Sequence, residues 1–334
     1  MKFYKIFSLL IILKVIICGC TANPLKVDVS EIELDIEFIN VDSLYLNVEK
    51  NNLDQLHEEL IHELDEIYLY EVSMNIRQQT DSFSAQAIYS FYQSEYIKAL
   101  EKEKIKLESD VFNQKKLIIQ AFKYLSYHFP NLKEPKQIIF INKLFGGIHC
   151  TDSVISVGLE RYIDPQSEVI KGIPNDQLYE WQKEAMNIHF LARDIVLQWI
   201  QVHLFNEIDE HLANHIVQAG KILYVLQAAF PTKDGAFIMR YTDDDYKWAT
   251  ENEYPFWEYI VREEMLFKNN LRDKTNFLNE GPYTIGLPEK GPDRLGQFLG
   301  WKMVNQFMNS SKELSLQELI RTEYNTILQQ YEID

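Results

Sequence analysis

Twelve glycines and ten prolines are all that punctuate 334 residues. A chain with so few tight-turn residues cannot be built from many hairpins, so long helices must carry most of its fold. A packed interior is available to them, since 46% of the residues are apolar and 13% aromatic, more than a disordered chain carries. Apolar spacing predicts helices over 53–68 and 84–128, the second broken near Ser109-Asp110, a good cap. Further helices are expected over 177–205, opened by "GIPND", and over 210–229, ended by Phe230-Pro231. Thr242 is placed to cap a helix whose first turn holds Asp243–Asp245; these carboxylates suit a helix N-terminus and lack the spacing of a calcium loop. "NEGPYTIGLPEKGP" reads as a long ordered loop. The helix after it carries Pro292 in its first turn, with Gly296 and Gly300 four apart on one face, a spacing that allows close helix approach.

Strand signals are few. "IELDIEFINVDSLYL" alternates apolar and acidic residues with Ile32, Leu34, Ile36 and Phe38 on one face, the pattern of a half-buried strand. Gln137–Ile141 and Val154–Gly158 give a second and a third. The expected fold class is α+β and mostly helical, a small sheet of about three strands or more packed against a bundle of long helices.

The first twenty residues, "MKFYKIFSLLIILKVIICGC", are a targeting segment. A basic start (Lys2, Lys5) precedes an apolar run interrupted by Lys14, too short on either side to span a bilayer. Ile17-Cys18-Gly19-Cys20 resembles a bacterial lipobox. Cleavage before Cys20 would leave a thiol and an amine to carry diacylglycerol and palmitate-like acyl chains, each buried methylene adding about 0.8 kcal/mol of membrane affinity. Residues 1–19 are thus expected to be a lipoprotein signal peptide, 20–30 a tether, and 31–334 a single domain. With Cys20 lipidated, Cys150 is the one cysteine left, so no disulfide can form within the chain. Thr21-Ala22-Asn23-Pro24 after the anchor offers no acidic retention signal, and the domain is expected on the periplasmic side. A net charge of −17 with scattered lysines and arginines excludes nucleic acid as a partner.

Short catalytic motifs fail on geometry. "HEELIHELDE" resembles a zinc-peptidase signature, but His57 and His62 are five apart, which turns the second imidazole about 140° round the helix from the first. His203, Glu207, His211 and His215 share a four-residue register, and His211 and His215 are the weak metal candidates. Leu212 stands where a peptidase needs its glutamate, and "FNEIDE" looks like a connection that splits the stripe. No nucleophile elbow, P-loop or dinucleotide fingerprint occurs. Gly146-Gly147 before His149 and Cys150 reads as a packed strand end more readily than as a thiol nucleophile. Trp248, Phe256, Trp257, Tyr259 and Trp301 read first as core.

The C-terminal half resembles the gliding-motility-associated lipoproteins of the GldB type. The likeness rests, in order, on "YHFPNLKEPKQIIFI", "SVGLERYI", "KGIPN", "QAGKILYVLQAAFP", "TDDDYKWATENEYPFWEYIVREEMLF" and "GPDRLGQFLGWKMVNQFM". It covers 122–308 best and 31–120 loosely. The signature positions are Gly220, Lys221, Tyr224, Pro231, Pro292, Arg294, Gly296, Gly300 and Trp301. The resemblance implies a zincin-like layout, a small sheet followed by helices at 177–205 and 210–229. In the first, "MNIHFLARDIVLQWIQVH" lacks the two-histidine motif, and the second has Gln218-Ala219-Gly220-Lys221 where a ligand glutamate would precede the glycine. It thus implies a scaffold without its metal, a pseudo-metallopeptidase. The expected role is a non-enzymatic envelope lipoprotein of gliding or its associated secretion machinery, binding envelope proteins and the membrane and needing no cofactor. The alternatives are a divergent metal-dependent hydrolase using His211 and His215, and a ligand- or glycan-binding lipoprotein that stacks sugars on Trp248, Trp257 and Trp301.

Overall fold

A computed structural model describes residues 23–77, 84–208, 211–287 and 291–333. The signal segment and Cys20 lie outside the described residues. The described residues are 61% helical, with one four-stranded sheet among them, so the α+β class is correct. The strands are β1 (Glu37–Asn40), β2 (Gln137–Phe140), β3 (His149–Cys150) and β4 (Val154–Val157), in the order β1-β2-β4-β3. β1, β2 and β4 are parallel, and β3 is antiparallel to β4.

Parallel strands must be covered on both faces, and the side chains alternate to suit. Ile138, Phe140, Ile155 and Val157 enter the larger apolar core. Ile139, Ile141 and Val154 enter a second core on the other face. The second face is covered by α1 (Val41–Asn47), α2 (Leu53–Arg77), α3 (Ala85–Tyr92) and α4 (Glu95–Ile105). The first is covered by α5 (Glu108–His128), α6 (Leu191–Leu204), α7 (Leu212–Ala229) and α8 (Leu295–Ser310). Among the described residues, no helix is long and apolar enough to cross a membrane.

Several element boundaries differ from expectation. The alternation at Ile32–Phe38 persists in burial, but only Glu37–Asn40 pairs, because β2 begins at Gln137 and offers nothing beyond Lys136 O, which accepts from Glu37 N at 2.9 Å. The 84–128 region is three helices. Ser94 caps the second by accepting from Ile97 N, and the next break falls at Lys106-Leu107, which leaves Ser109 and Asp110 inside the first turn of α5. The 177–205 region is a short helix at Glu180–Glu184 and then α6, divided by Asn187, which caps the turn between them. Pro292 precedes α8 rather than opening it: Arg294 is the N-cap, in a left-handed conformation, and Pro292 O accepts from Thr284 N and Oγ1. α7 stops at Phe230, and Thr242 caps its helix through a reciprocal pair with Asp245, as the sequence predicts.

Candidate functional site

Open parallel sheets bind ligands beyond the carboxyl ends of their strands. Here each parallel strand delivers a polar group to that edge: Asp42 after β1, Asn142 and Lys143 after β2, and Glu160 after β4, all buried. Buried charges must be paired and bonded. Asp42 Oδ1 accepts from Asn142 N at 2.7 Å and Tyr92 Oη at 2.8 Å, while Lys104 Nζ on α4 donates to Asp42 Oδ2 at 2.5 Å. Glu101 pairs with the same lysine. Glu160 Oε1 accepts from Lys143 N at 2.7 Å and Phe145 N at 3.2 Å, and its buried Oε2 finds no hydrogen-bond partner among the described residues.

Three carboxylates therefore share one ammonium, so one of them is best accommodated as the neutral acid. Burial raises Glu160 above its ordinary value and pushes Glu101 up to about 7 from 4.5, against the lowering effect of Lys104. An acid with a raised folded-state pKa contributes stability that is complete below its unfolded value and lost as pH rises through the folded one. Glu101→Gln mimics the neutral acid, so it is expected to change stability little at pH 4.5. At pH 8 it should gain up to about 3 kcal/mol relative to the parent chain, read from urea unfolding at both pH values. A stability difference that stays flat with pH would refute the neutral-acid assignment.

A second nest adjoins the first. Glu71 Oε1, from α2, lies within bonding distance of Lys143 Nζ, Ser156 Oγ and His149 Nδ1, the last at 2.7 Å. Burial alone would raise the Glu71 carboxyl, but the His149 and Lys143 contacts outweigh it and hold it below the ordinary value. Ser156 is fully buried, whereas the His149 side chain is 42% exposed, with Tyr70 edge-on to it. Cys150, next along β3, packs into the larger core, where burial pushes its thiol up to about 12. At neutral pH it is therefore protonated and a poor nucleophile.

Glu160 also sets the loop that follows β2. By accepting from Lys143 N and Phe145 N it stabilises Leu144 and Phe145 in left-handed conformations, with φ of 48° and 67°. From Phe145 a recess runs past Arg161 and Trp181 to Arg240 and opens into a cleft of about 410 Å³. Behind the cleft, Asp194 of α6 binds Arg193 Nη1 (2.9 Å), Arg240 Nε (3.1 Å) and Tyr162 Oη (3.1 Å). Burial would raise Asp194, but the Arg240 and Arg193 charges hold it below its ordinary value. Across the cleft, Arg294 Nε binds Asp293 Oδ1 at 2.9 Å and its Nη2 donates to Arg240 O at 3.3 Å. Arg240 and Arg294 are themselves left-handed, with φ of 58° and 53°. Five non-glycine residues among those described have positive φ, and three of them (Phe145, Arg240 and Arg294) wall this cleft and its recess. Such backbone strain costs about 1–3 kcal/mol per residue and gathers where a surface is held ready for use. A hollow of about 1040 Å³ lies at the opposite edge of the sheet. Its charged lining residues are exposed carboxylates plus Lys136.

The predicted site residues lie elsewhere. His62 is exposed, whereas His57 is half-buried and bonds Tyr68 Oη at 2.7 Å. His203 sits in the last turn of α6 and stacks on Trp199 at 3.7 Å. His211 is the N-cap of α7 and His215 lies one turn in, so Phe205–His211 divides the stripe between two helices. Among the described residues, no three His, Cys, Asp or Glu side chains form a group able to hold a metal ion. Trp301 is buried and donates from Nε1 to Gln227 Oε1 at 2.9 Å, while Trp248 and Trp257 are half-buried, the latter edge-on to Tyr331. The three tryptophans do not form one exposed stacking face.

The signature positions mostly hold helices together. Gly220 and Gly300 face each other where α7 crosses α8. Gly296 abuts Phe277 O, Lys221 Nζ donates to Ile320 O and Thr322 O, and Pro231 O accepts from Asn23 Nδ2. Tyr224 is core. Only Pro292 and Arg294 of the set reach the cleft. Asp42, Glu71, Lys104, Lys143, Glu160, Asp194 and Arg240 carry the site but were not singled out from sequence. The available signal was a charged residue within three positions of each parallel strand's end. No curated protein and no solved structure matches the chain. The profile of the family described as gliding motility protein GldB matches residues 22–332, nearly its whole length, and the chain belongs to that family of gliding motility lipoproteins.

Proposed function

We propose that this chain is a lipid-tethered, non-catalytic envelope component of the gliding apparatus or its associated secretion machinery, and that it works by binding a partner at the arginine-walled cleft. The family assignment supports the envelope setting, and the lipobox ending at Cys20 supports acylation as the anchor. One observation carries the binding reading: the groups able to attack a substrate are closed off, while the groups open to the cleft are fixed donors and acceptors. Ser156 is fully buried, the Cys150 thiol is held protonated, and the cleft presents Arg240 and Arg294 in strained, pre-set positions. The pseudo-metallopeptidase reading draws support from Arg193 and Gln218. These stand in helices where a peptidase would carry ligands, and both are tied into the fold, Arg193 to Ile238 O and Gln218 to Asn206 O.

The test is complementation of a strain lacking this chain, scored by colony spreading and by fractionation. Cys20→Ala should release the protein from the membrane pellet and abolish spreading. His211→Ala and His215→Ala should leave both unchanged. Stoichiometric zinc in the purified protein that disappears in His215→Ala, together with lost spreading, would replace this reading with the hydrolase.

A further inference from the structure

We infer that the cleft between Arg240 and Arg294 is a binding site for a carboxylate, a deepening that rests on the binding reading above. Its floor carries a charge imbalance. Three guanidinium groups, Arg193, Arg240 and Arg294, stand against two carboxylates, Asp194 and Asp293, and all five side chains are 84% or more buried. The carboxylates occupy Nη1 of Arg193 and Nε of Arg240 and Arg294, and backbone carbonyls take Nη2 of Arg240 and Arg294. What remains on each wall arginine is both N–H bonds of Nη1 and the second N–H of Nη2. Among the described residues, no hydrogen bond reaches Nη1 of Arg240, and the acceptor paired with Nη1 of Arg294 is Glu280 Oε1 at 3.9 Å, outside bonding range.

Both planes are held in place by stacking. Arg240 lies over the Phe190 ring at 5.1 Å and Arg294 over Tyr241 at 5.4 Å. Tyr241 Oη is in turn bonded to Asp293 O. A guanidinium fixed by stacking and by its other nitrogens loses little entropy on binding a planar anion, and two such groups facing one cavity suit the two oxygens of a carboxylate. Arg161 adds a fourth positive charge, at the recess. The rim carries opposing charges: Glu184 and Glu280 are exposed and Asp245 is half-buried, and of these Glu280 acts on both wall arginines. About 410 Å³ is ample for an acid of one or two residues' size, whether the end of a peptide or a uronic sugar.

The experiment measures binding to the full chain by calorimetry and thermal shift with two matched pairs: N-acetylglycine against N-acetylglycinamide, and glucuronate against glucose. The acid of at least one pair should bind more tightly than its neutral partner by tenfold or more, and the pair that responds identifies the source of the carboxylate. Arg294→Gln should remove that preference, with circular dichroism checking the fold. Glu280→Gln keeps the proposal testable if that variant does not fold. Glu280 is about half exposed, and losing its negative charge beside Nη1 should tighten binding of the acid about fivefold. Equal binding of acid and neutral partner, or a Glu280→Gln variant that binds the acid no more tightly, overturns the inference. If that happens while Cys20→Ala still abolishes spreading and no zinc is found, the binding reading stands with a different ligand.

Discussion

Gly300→Ala is expected to destabilise the protein by on the order of 4 kcal/mol, lowering its melting temperature by roughly 6 °C for a chain of this size. A methyl group at position 300 would lie 1.9 Å from Ile216 O and 2.8 Å from Ile216 C. Those are backbone atoms of the second turn of α7 and cannot rotate away, so the two helices must part by more than 1 Å to reach ordinary contact. α7 and α8 contribute Leu223, Val225, Leu226, Phe298, Leu299, Met303 and Val304 to the larger core, and separating them loosens all of these contacts together. Gly220→Ala should behave alike, since its methyl would lie 2.1 Å from Gly300 O. The double variant should be far less than additive, because the helices need to part only once. Gly147→Ala, with nothing within 4 Å of the new methyl, should leave stability unchanged. Urea unfolding of the four variants checks the set. Near-additive losses at 220 and 300 would show that the two glycines do not share one contact.

That crossing was half legible in the sequence. Gly296 and Gly300 declared a close approach by their spacing, but spacing names no partner. In the fold they serve two different neighbours, Gly300 meeting α7 and Gly296 meeting Phe277 O. Helices were legible where an apolar stripe is long, as in α7, and misjudged where a side-chain cap competes with the stripe, as at Ser94 and Asn187. The strand at Ile32–Phe38 was legible as a buried alternation but not in its length, because a ladder also needs a partner and β2 is only four residues long. The site was hardly legible at all. Asp42, Lys104 and Glu160 lie far apart in the chain and look like ordinary surface charges until a parallel sheet brings the strand ends together. Periodicity reports which face a residue takes on its own element, and says nothing about which distant charge will meet it.

The charged edge of the sheet is where the second large effect is expected. Lys104→Met should cost about 3–5 kcal/mol, the range for breaking a buried ion pair by removing one partner. Lys104 is the cation paired with both Asp42 and Glu101, and burial is outweighed by those two charges, so its ammonium is held above the ordinary lysine value. Methionine fills the volume but leaves Asp42, Glu101 and Glu160 facing one another with no counter-charge. Such a cluster can relieve itself only by taking up protons, and that uptake grows harder as pH rises, by about 1.4 kcal/mol per pH unit for each proton required. The loss should therefore be larger at pH 8 than at pH 5. Lys104→Met combined with Asp42→Asn should recover roughly half of it: an asparagine oxygen can still accept from Asn142 N and Tyr92 Oη, the two donors that use Asp42 Oδ1, while one charge is gone. A loss that does not change between pH 5 and pH 8, with no recovery in the double variant, would mean that Lys104 acts here through its packed stem alone and that the cluster's charges are relieved in some other way.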